Sequence, residues 1–398
     1  MYGGAGALLL ALLCVPLALT IGPSRGQDTP PQIAGAGRVR LVISTTPQWD
    51  LYTRNPSKAM RQWLRDNSWR ILTFSPYFDS RLNWDPDAWV YQDLYAIYPG
   101  SEVLAAHPDW VLRDAKGNPL YIPWGCANGT CPQYAGDVSN QAFRNWWIGQ
   151  AQKLRAIGYR GLWIDDVNLE FRVSDGYGNQ VAPIDPQTGA AMLYQAWRQY
   201  VAEFTTQIRA SLPGWEIVHN AIWFADTPAR LNDPSVREEV SAADYINLEQ
   251  GVTDPGLVGG NGPYSLSALL SYIDGVHKLG PAVVLGNTSD QTDYPLAAYF
   301  LISNGHDALS QGNRLPNRWW SGLDANLGTA LNARQSWRGV LRRDFSNGTA
   351  LVNPPQNPTA QLDLQQTFRQ LDGTAVNKVT LRPAEGIVLL TPSPQPVR

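Results

Sequence analysis

From Arg38 onward the chain repeats one unit: a short β-rich apolar run that ends on a polar residue, followed by a helical stretch. The runs are Val39–Thr45, Arg70–Ser75, a weak third ending near Asp137, Gly161–Asp165, Glu216–Asn220, Tyr245–Glu249, Ala282–Asn287 and Ala308–Gln311. Helical patterns fall between them, over Asn140–Ile157, Ala190–Ser211, Leu266–Leu279 and Tyr294–Ser303. Strands alternating with helices predict parallel pairing through crossover helices. Eight such units in about 290 residues predict a closed (β/α)8 TIM barrel over 38–330, ending between about 320 and 337. No Gly-x-Gly-x-x-Gly follows the first run, which argues against a dinucleotide-binding open sheet.

Beyond about Trp337 the pattern changes. Short runs recur at Gly339–Phe345, Thr349–Val352, Gln361–Thr367, Val376–Arg382 and Gly386–Leu390, separated by Ser346-Asn347-Gly348, Asn353-Pro354-Pro355 and Asp372-Gly373. These are hairpin and turn signals with no helix between them, so 337–390 is expected to be a small antiparallel β-domain docked on the barrel. Residues 391–398 are Pro-rich and expected to be a disordered tail.

The apolar run Ala7–Ile21 is short for a membrane span of about 20 residues and reads as the core of a secretory leader over 1–26, cleaved or retained as an anchor. Residues 27–37, rich in Gly, Pro and Gln, read as a linker. The leader predicts export to the periplasm, the cell surface or the medium. Outside it only Cys126 and Cys131 remain, flanking Ala-Asn-Gly-Thr. An even pair in an exported chain predicts a disulfide, with Cα atoms about 4.4–6.8 Å apart. A metal site is the weaker alternative, because no further Cys or His lies near.

In such a barrel the functional groups project from the C-terminal ends of the strands. Those ends read Trp49-Asp50, Tyr77 with Asp79, Asp137, Asp165-Asp166, Asn220, Glu249-Gln250, Asn287 and Gln311: acids, amides and rings. With 4 His in 398 residues, and without His-Glu-x-x-His, Gly-x-Ser-x-Gly or a Walker loop, metallohydrolase, serine-hydrolase and nucleotide chemistries lack their residues. A net charge of −3 with no basic patch argues against nucleic acid. No cofactor, metal or obligate protein partner is implied, and the oligomeric state is left open.

What remains is carboxylate chemistry. Hydrolysis of a glycosidic bond needs two carboxyl groups, one to protonate the leaving oxygen and one to act as nucleophile or to activate water. Gly161-Leu-Trp-Ile-Asp165-Asp166 ends a buried run on two acids, which is costly unless they are used or paired. Adjacent strand residues face opposite ways, so one of the two is expected to point inward; capping of the following loop is the plainer reading. Glu249 ends the run two strands on and can face Asp165 across the barrel mouth; a surface salt bridge is its plainer reading. Asn168, Asn220, Gln250, Asn287, Asp79 and Asp137 are candidate sugar contacts, although Asp137 also suits a helix cap near Asn140. The chain holds 16 Trp and 17 Tyr, many beside Asp, Asn, Gln or Pro. Trp49, Tyr77, Trp124 and Trp223 are therefore candidate sugar platforms, with core filling as the alternative.

The run Gly-Leu-Trp-Ile-Asp165 resembles the strand-four motif of retaining α-glycosidases, in which such a run ends in the nucleophile. A longer pattern is similar to the TIM-barrel proteins grouped as hypothetical glycosyl hydrolases. It comprises His107-Pro-Asp-Trp-Val-Leu-Arg-Asp-Ala-Lys-Gly-Asn-Pro, Gly136-Asp137-Val-Ser-Asn and Asp165-Asp166-Val-Asn, then Arg343-Asp-Phe-Ser-Asn-Gly-Thr-Ala-Leu-Val-Asn-Pro and Gly386-Ile-Val-Leu-Leu. The resemblance spans roughly 40–390. It implies a barrel with a trailing β-domain, cleavage of a polysaccharide or oligosaccharide with α-direction, and Asp165 rather than Asp166 as nucleophile. Glu249 as acid/base rests on the strand count alone. The alternatives are a carbohydrate-binding barrel without catalysis and a transglycosylase.

Overall fold

The structure, a computed structural model, describes residues 33–73, 80–221, 228–287, 290–311 and 315–392. The leader, residues 27–32, Tyr77, Asp79, Trp223 and the tail from 393 lie outside the described residues. Eight parallel strands close into a barrel: β1 (Leu41–Thr45), β2 (Arg70–Thr73), β3 (Trp89–Asp93), β4 (Gly161–Asp165), β5 (Glu216–Asn220), β6 (Tyr245–Leu248), β7 (Ala282–Asn287) and β8 (Ala308–Gln311). Crossover helices surround it: α1 (Lys58–Asn67), α2 (Gln141–Ile157), α3 (Tyr194–Ser211), α4 (Pro234–Ala242), α5 (Leu266–Leu279) and α6 (Asp293–Ile302).

The third strand differs from the expectation. It is Trp89–Asp93, and the run near Asp137 instead contributes Tyr134–Ala135 to a two-stranded antiparallel pair with Ala96–Ile97. Between β2 and β3 the described residues contain one short helical turn, Ser80–Leu82, and no crossover helix. The long loop-rich insertion follows β3.

Side chains of period two fill the barrel in layers. Its lower end is plugged by rings: Trp69 packs edge-on against Trp89, and Tyr245 lies 5.2 Å from Trp69 and 5.6 Å from Trp89. Arg70 stacks on Trp69 and forks onto Glu216, whose carboxylate also accepts from Trp89 Nε1 and Arg160. Burial pushes the Glu216 carboxyl up, but these donors outweigh it and hold the group below its usual range. Further along the same faces the rings give way to acids and amides at the C-terminal mouth, Asp93 four residues beyond Trp89 and Asn247 two beyond Tyr245.

Two hairpin turns of one design shape the insertions above the mouth. Asp114 and Asp175 each accept two downstream backbone N–H groups and the side-chain amide of the Asn four residues on. The second hairpin pairs Ser174 with Tyr121, ending beside the disulfide loop.

The C-terminal sheet comprises β9 (Asn326–Ala330), β10 (Gln335–Trp337), β11 (Val340–Phe345), β12 (Gly348–Asn353), β13 (Ala360–Arg369), β14 (Ala375–Leu381) and β15 (Glu385–Leu390). Residues 33–37, read from composition as linker, belong to an additional strand, Ile33–Arg38, that pairs antiparallel with β9. The sheet docks on α6, whose residues Tyr294–Ile302 are buried all round. Arg343, 3% exposed, donates to the carbonyls of Phe300, Leu301 and Ser303, meeting the unsatisfied acceptors at the end of α6.

Candidate active site

β3 and β4 pair in parallel register, and the pairing sets Asp93 beside Asp165 at the barrel mouth. Both face inward, two residues beyond Tyr91 and Trp163 respectively. Tyr91 donates its hydroxyl to Asp165 Oδ2 at 2.6 Å, and burial with the Asp165 charge pushes that phenol far above its usual range. Asp165 Oδ1 accepts from Asn220 Nδ2 at 2.8 Å and from the Asp166 amide at 2.9 Å. Both oxygens of Asp165 are thus occupied by donors, the arrangement of an acceptor-only carboxylate.

Glu249, just past β6, is exposed at the same mouth and lies 3.4 Å through Oε2 from Asn220 Nδ2. One amide nitrogen therefore touches both acids. The sum of its two contacts bounds the Asp165 Oδ1 to Glu249 Oε2 separation at about 6 Å, so both acids face one reaction space. Two glycines seat Glu249. A Cβ on Gly286 would collide with the Glu249 and Leu248 carbonyls, and one on Gly251, which has φ of 50°, with the Gly286 carbonyl.

Asp166 takes a left-handed backbone, φ 53°, and also lines the cavity. Its Oδ1 accepts from Asn168 Nδ2 at 2.8 Å and lies 3.6 Å from Arg172 Nη1. Burial, then the Asp165 charge, pushes its carboxyl up to about 7. Buried Asp93 is raised well above the usual range, by burial, then by Asp166 and Asp165.

The cavity is about 670 Å³ and brings together Asp165, Asp166, Glu249, Asn168, Asn220, Gln250 and Trp124 among the expected residues. Trp124 is 63% exposed at its rim, as is Tyr264 at 53% on the loop after β6. Three expected contacts sit elsewhere. Trp49 is fully buried in the core. Asp137 spends its carboxylate on the Ser139 amide and hydroxyl in the turn before α2, whose N-cap is Asn140. Asn287 donates to the Gln291 carbonyl and does not line the cavity. Cys126 and Cys131 form a disulfide with Cα atoms 4.0 Å apart, slightly closer than expected, because Ala127 and Thr130 pair as a tight hairpin between them.

Sequence reasoning missed Asp93, Tyr91, Asn247, Arg172 and Tyr264. Period two was the available signal for three of them: Asn247 precedes Glu249 by two on one face, and Trp-Val-Tyr91-Gln-Asp93 alternates rings with an acid.

No protein-family model and no curated protein matches the chain. Among solved structures it is similar to an α-galactosidase from Thermus thermophilus, at 14% identity over 78% of this chain and 66% of that one, with a TM-score of 0.47. It is also similar to the glycoside hydrolase domain of PelA from Pseudomonas aeruginosa, at 14% identity over 69% and 94% of the two chains, with a TM-score of 0.39. A third is a Flavobacterium johnsoniae GH31 dextranase, at 11% identity over 91% and 52%, with a TM-score of 0.43. The chain spans just under two thirds of the α-galactosidase and about half of the dextranase.

Proposed function

We propose that the chain is an exported glycoside hydrolase that cleaves a polysaccharide or oligosaccharide with retention, through Asp165 and Glu249. The observation that carries this reading is the Asn220 amide, in contact with both carboxylates across one open cavity. A bound of about 6 Å on that oxygen pair runs against a barrel that has lost its acid pair, for which more than about 10 Å is expected; retention rests on the strand-four resemblance. Exposed Trp124 and Tyr264 offer flat apolar faces to pyranose rings at the rim. The leader and the disulfide support export. The α-direction rests on the strand-four resemblance.

In this mechanism Asp165 attacks the anomeric carbon while Glu249 protonates the departing glycosidic oxygen. Water, giving a proton to Glu249, then attacks the anomeric carbon of the resulting glycosyl ester and releases the Asp165 carboxylate. Tyr91 and Asn220 hold the nucleophile in position throughout.

The test is a screen of wild type and Asp165→Asn in parallel against defined α- and β-linked polysaccharides, with the product anomer read by NMR. Asp165→Asn should cut turnover by several orders of magnitude with little loss of stability. Glu249→Gln should hurt substrates with poor leaving groups far more than activated aryl glycosides, and the two effects should not add. Near wild-type turnover in Asp165→Asn on a confirmed substrate sinks the assignment and makes Asp166 the next nucleophile to test.

A further inference from the structure

The cavity at the mouth has two walls, and each carries one exposed ring. One wall rises from β3 and β4 and holds Trp124; the other rises from β5 and β6 and holds Tyr264. Around the closed barrel, β3 and β6 are separated by two strands on one side and by four on the other. The loops that follow them therefore face each other across the mouth. Taken in barrel order, the strands supply Trp124, then Asp165, then Asn220, then Glu249 with Tyr264, so both acids lie between the two rings.

Both rings are held out by their backbone. Tyr264 is left-handed, with φ 59°, a conformation unfavourable to any residue with a Cβ. Its surroundings leave it no other. The Tyr264 carbonyl accepts from the Val258 amide at 2.9 Å, and the next residue, Ser265, is fully buried with its hydroxyl capping α5 through the Ala268 amide. Trp124 is fixed in a comparable way: its amide donates to the Ile122 carbonyl at 2.8 Å, Gly125 after it has φ 60°, and the Cys126–Cys131 bridge closes the loop. Among the described residues neither side chain takes a ring contact or a hydrogen bond. Core packing thus explains neither ring, and strain that displays an exposed ring beside acids points to a ligand.

We propose that the cavity is a cleft for the interior of a polysaccharide, which makes the enzyme endo-acting, with the retained side of the chain on Trp124 and the departing side on Tyr264. The inference rests on the glycosidase reading of Asp165 and Glu249. Asp165 attacks the anomeric carbon of the sugar that stays, while Glu249 must reach the oxygen of the sugar that leaves. The departing sugar therefore lies towards β6, where Tyr264 stands and where exposed Gln250 offers an amide to its hydroxyls. Trp124, on the opposite wall, is left to stack on the side that Asp165 attacks. A ring on each side of the scissile bond suits a chain that continues in both directions. Removal of terminal sugars needs a platform on one side and a closed wall on the other. The cavity, about 670 Å³, has the size of sites that take ligands of several rings.

The experiment follows viscosity and reducing ends together as the full chain acts on whichever of the defined α- and β-linked polysaccharides it cleaves. Viscosity should collapse well before reducing ends accumulate, and the first products should be a mixture of lengths. A single small product from the first time point, with viscosity falling only in step with reducing ends, overturns endo action and leaves Asp165 and Glu249 as the acids. A screen in which no polysaccharide is cut overturns both readings, so the two failures are distinguishable. The sides are read by comparing the polysaccharide with the glycosyl fluoride of the matching oligosaccharide, which has no departing sugar. Tyr264→Ala should lose about 10-fold more kcat/KM on the polysaccharide than on the fluoride, and Tyr264→Phe, which keeps the ring, should recover most of it. Trp124→Ala should weaken both substrates alike. Equal losses on the two substrates in Tyr264→Ala, or a Tyr264→Phe no better than Tyr264→Ala, overturn the placement of the departing side.

Discussion

Asn247 donates its side-chain amide to Asn220 Oδ1 at 2.7 Å, and the two residues face each other in register on β5 and β6. That bond fixes which way the Asn220 amide points. With its oxygen engaged below, its nitrogen must face the mouth, where two acceptor-only carboxylates await it. Asn247 is buried and touches no substrate in this arrangement; it orients the residue that does the bridging.

Breaking this relay should therefore act on turnover. Asn247→Leu should lower kcat about 10-fold, with KM changed less, because Asn220 becomes free to rotate. Asn220→Asp should be worse, by about 100-fold or more, since it sets a third carboxylate between two others. Steady-state kinetics on an activated aryl glycoside would check both. Equal activity in wild type and Asn247→Leu would remove Asn247 from the site's architecture.

The pH dependence of stability follows from Asp166. Its folded value, about 7, lies above the usual carboxylate range, so the folded state binds the proton more tightly than the unfolded chain. This contribution is fully present below about pH 4, is lost as pH rises through about 7, and leaves the folded protein bearing the whole cost of the buried charge above that. Asp166→Asn removes the charge and suits a left-handed backbone. It should therefore stabilise the protein relative to wild type by about 1–3 kcal/mol at pH 8 and much less at pH 5. Urea denaturation at the two pH values measures the difference, and equal shifts at both would contradict it.

Much of this site was legible before the fold was known, and the gaps have physical causes. Asp165 and Glu249 were visible because each ends an apolar run flanked by a crossover helix. β3 was not, because its alternation of rings with an acid runs for only five residues, too short to stand out from the loop-rich sequence around it. Assigning the third strand end to Asp137 hid Asp93, and with it the acid that neighbours Asp165. The aromatic candidates divided for a similar reason: Trp beside a polar residue marks a loop, yet Trp49 turns inward to the core while Trp124 stays at the rim. The β-domain strands were read closely, since hairpin turns punctuate them at short range. The pairing of Ile33–Arg38 with β9 was out of reach, because nothing local in a Gly-rich segment indicates a partner nearly 300 residues away.

The disulfide should matter for binding more than for folding. Cys126 and Cys131 are 5 apart in sequence, and a loop that short is worth about 2 kcal/mol in chain entropy. The loop they close packs against Gly176 and Tyr177 of the second hairpin and carries Trp124 on its leading side. Reduction should raise KM for oligosaccharides several-fold while leaving kcat on a small aryl glycoside near its oxidised value. Trp124→Ala should reproduce that pattern with the disulfide intact. A loss of kcat on the small substrate in either case would mean that the loop reaches the acids themselves.

Gly286 offers the sharpest separation of geometry from chemistry, because it carries no reactive group and yet determines where Glu249 sits. Its Cα lies so close to β6 that an added methyl would occupy the space of the Glu249 and Leu248 carbonyls. β6 and β7 are bonded neighbours at this point, through Leu248 and Leu285, so the backbone cannot yield without displacing the end of β6. Gly286→Ala should cost about 1–3 kcal/mol of stability, the usual range for overpacking a tight site, and the protein should still fold. The displacement falls on Glu249, whereas Asp165, held by Tyr91 on the far side of the mouth, stays in place. The kinetic signature should therefore copy that of Glu249→Gln: a large loss on substrates with poor leaving groups and a small one on activated aryl glycosides, which need little protonation. Misplacement by about 1 Å can cost a factor of about 100 in such a step. Parallel measurement of both substrate classes and of urea unfolding decides the matter. An equal loss on both classes would show that the methyl disturbs the whole mouth, and no loss on either would show that Glu249 is not the acid.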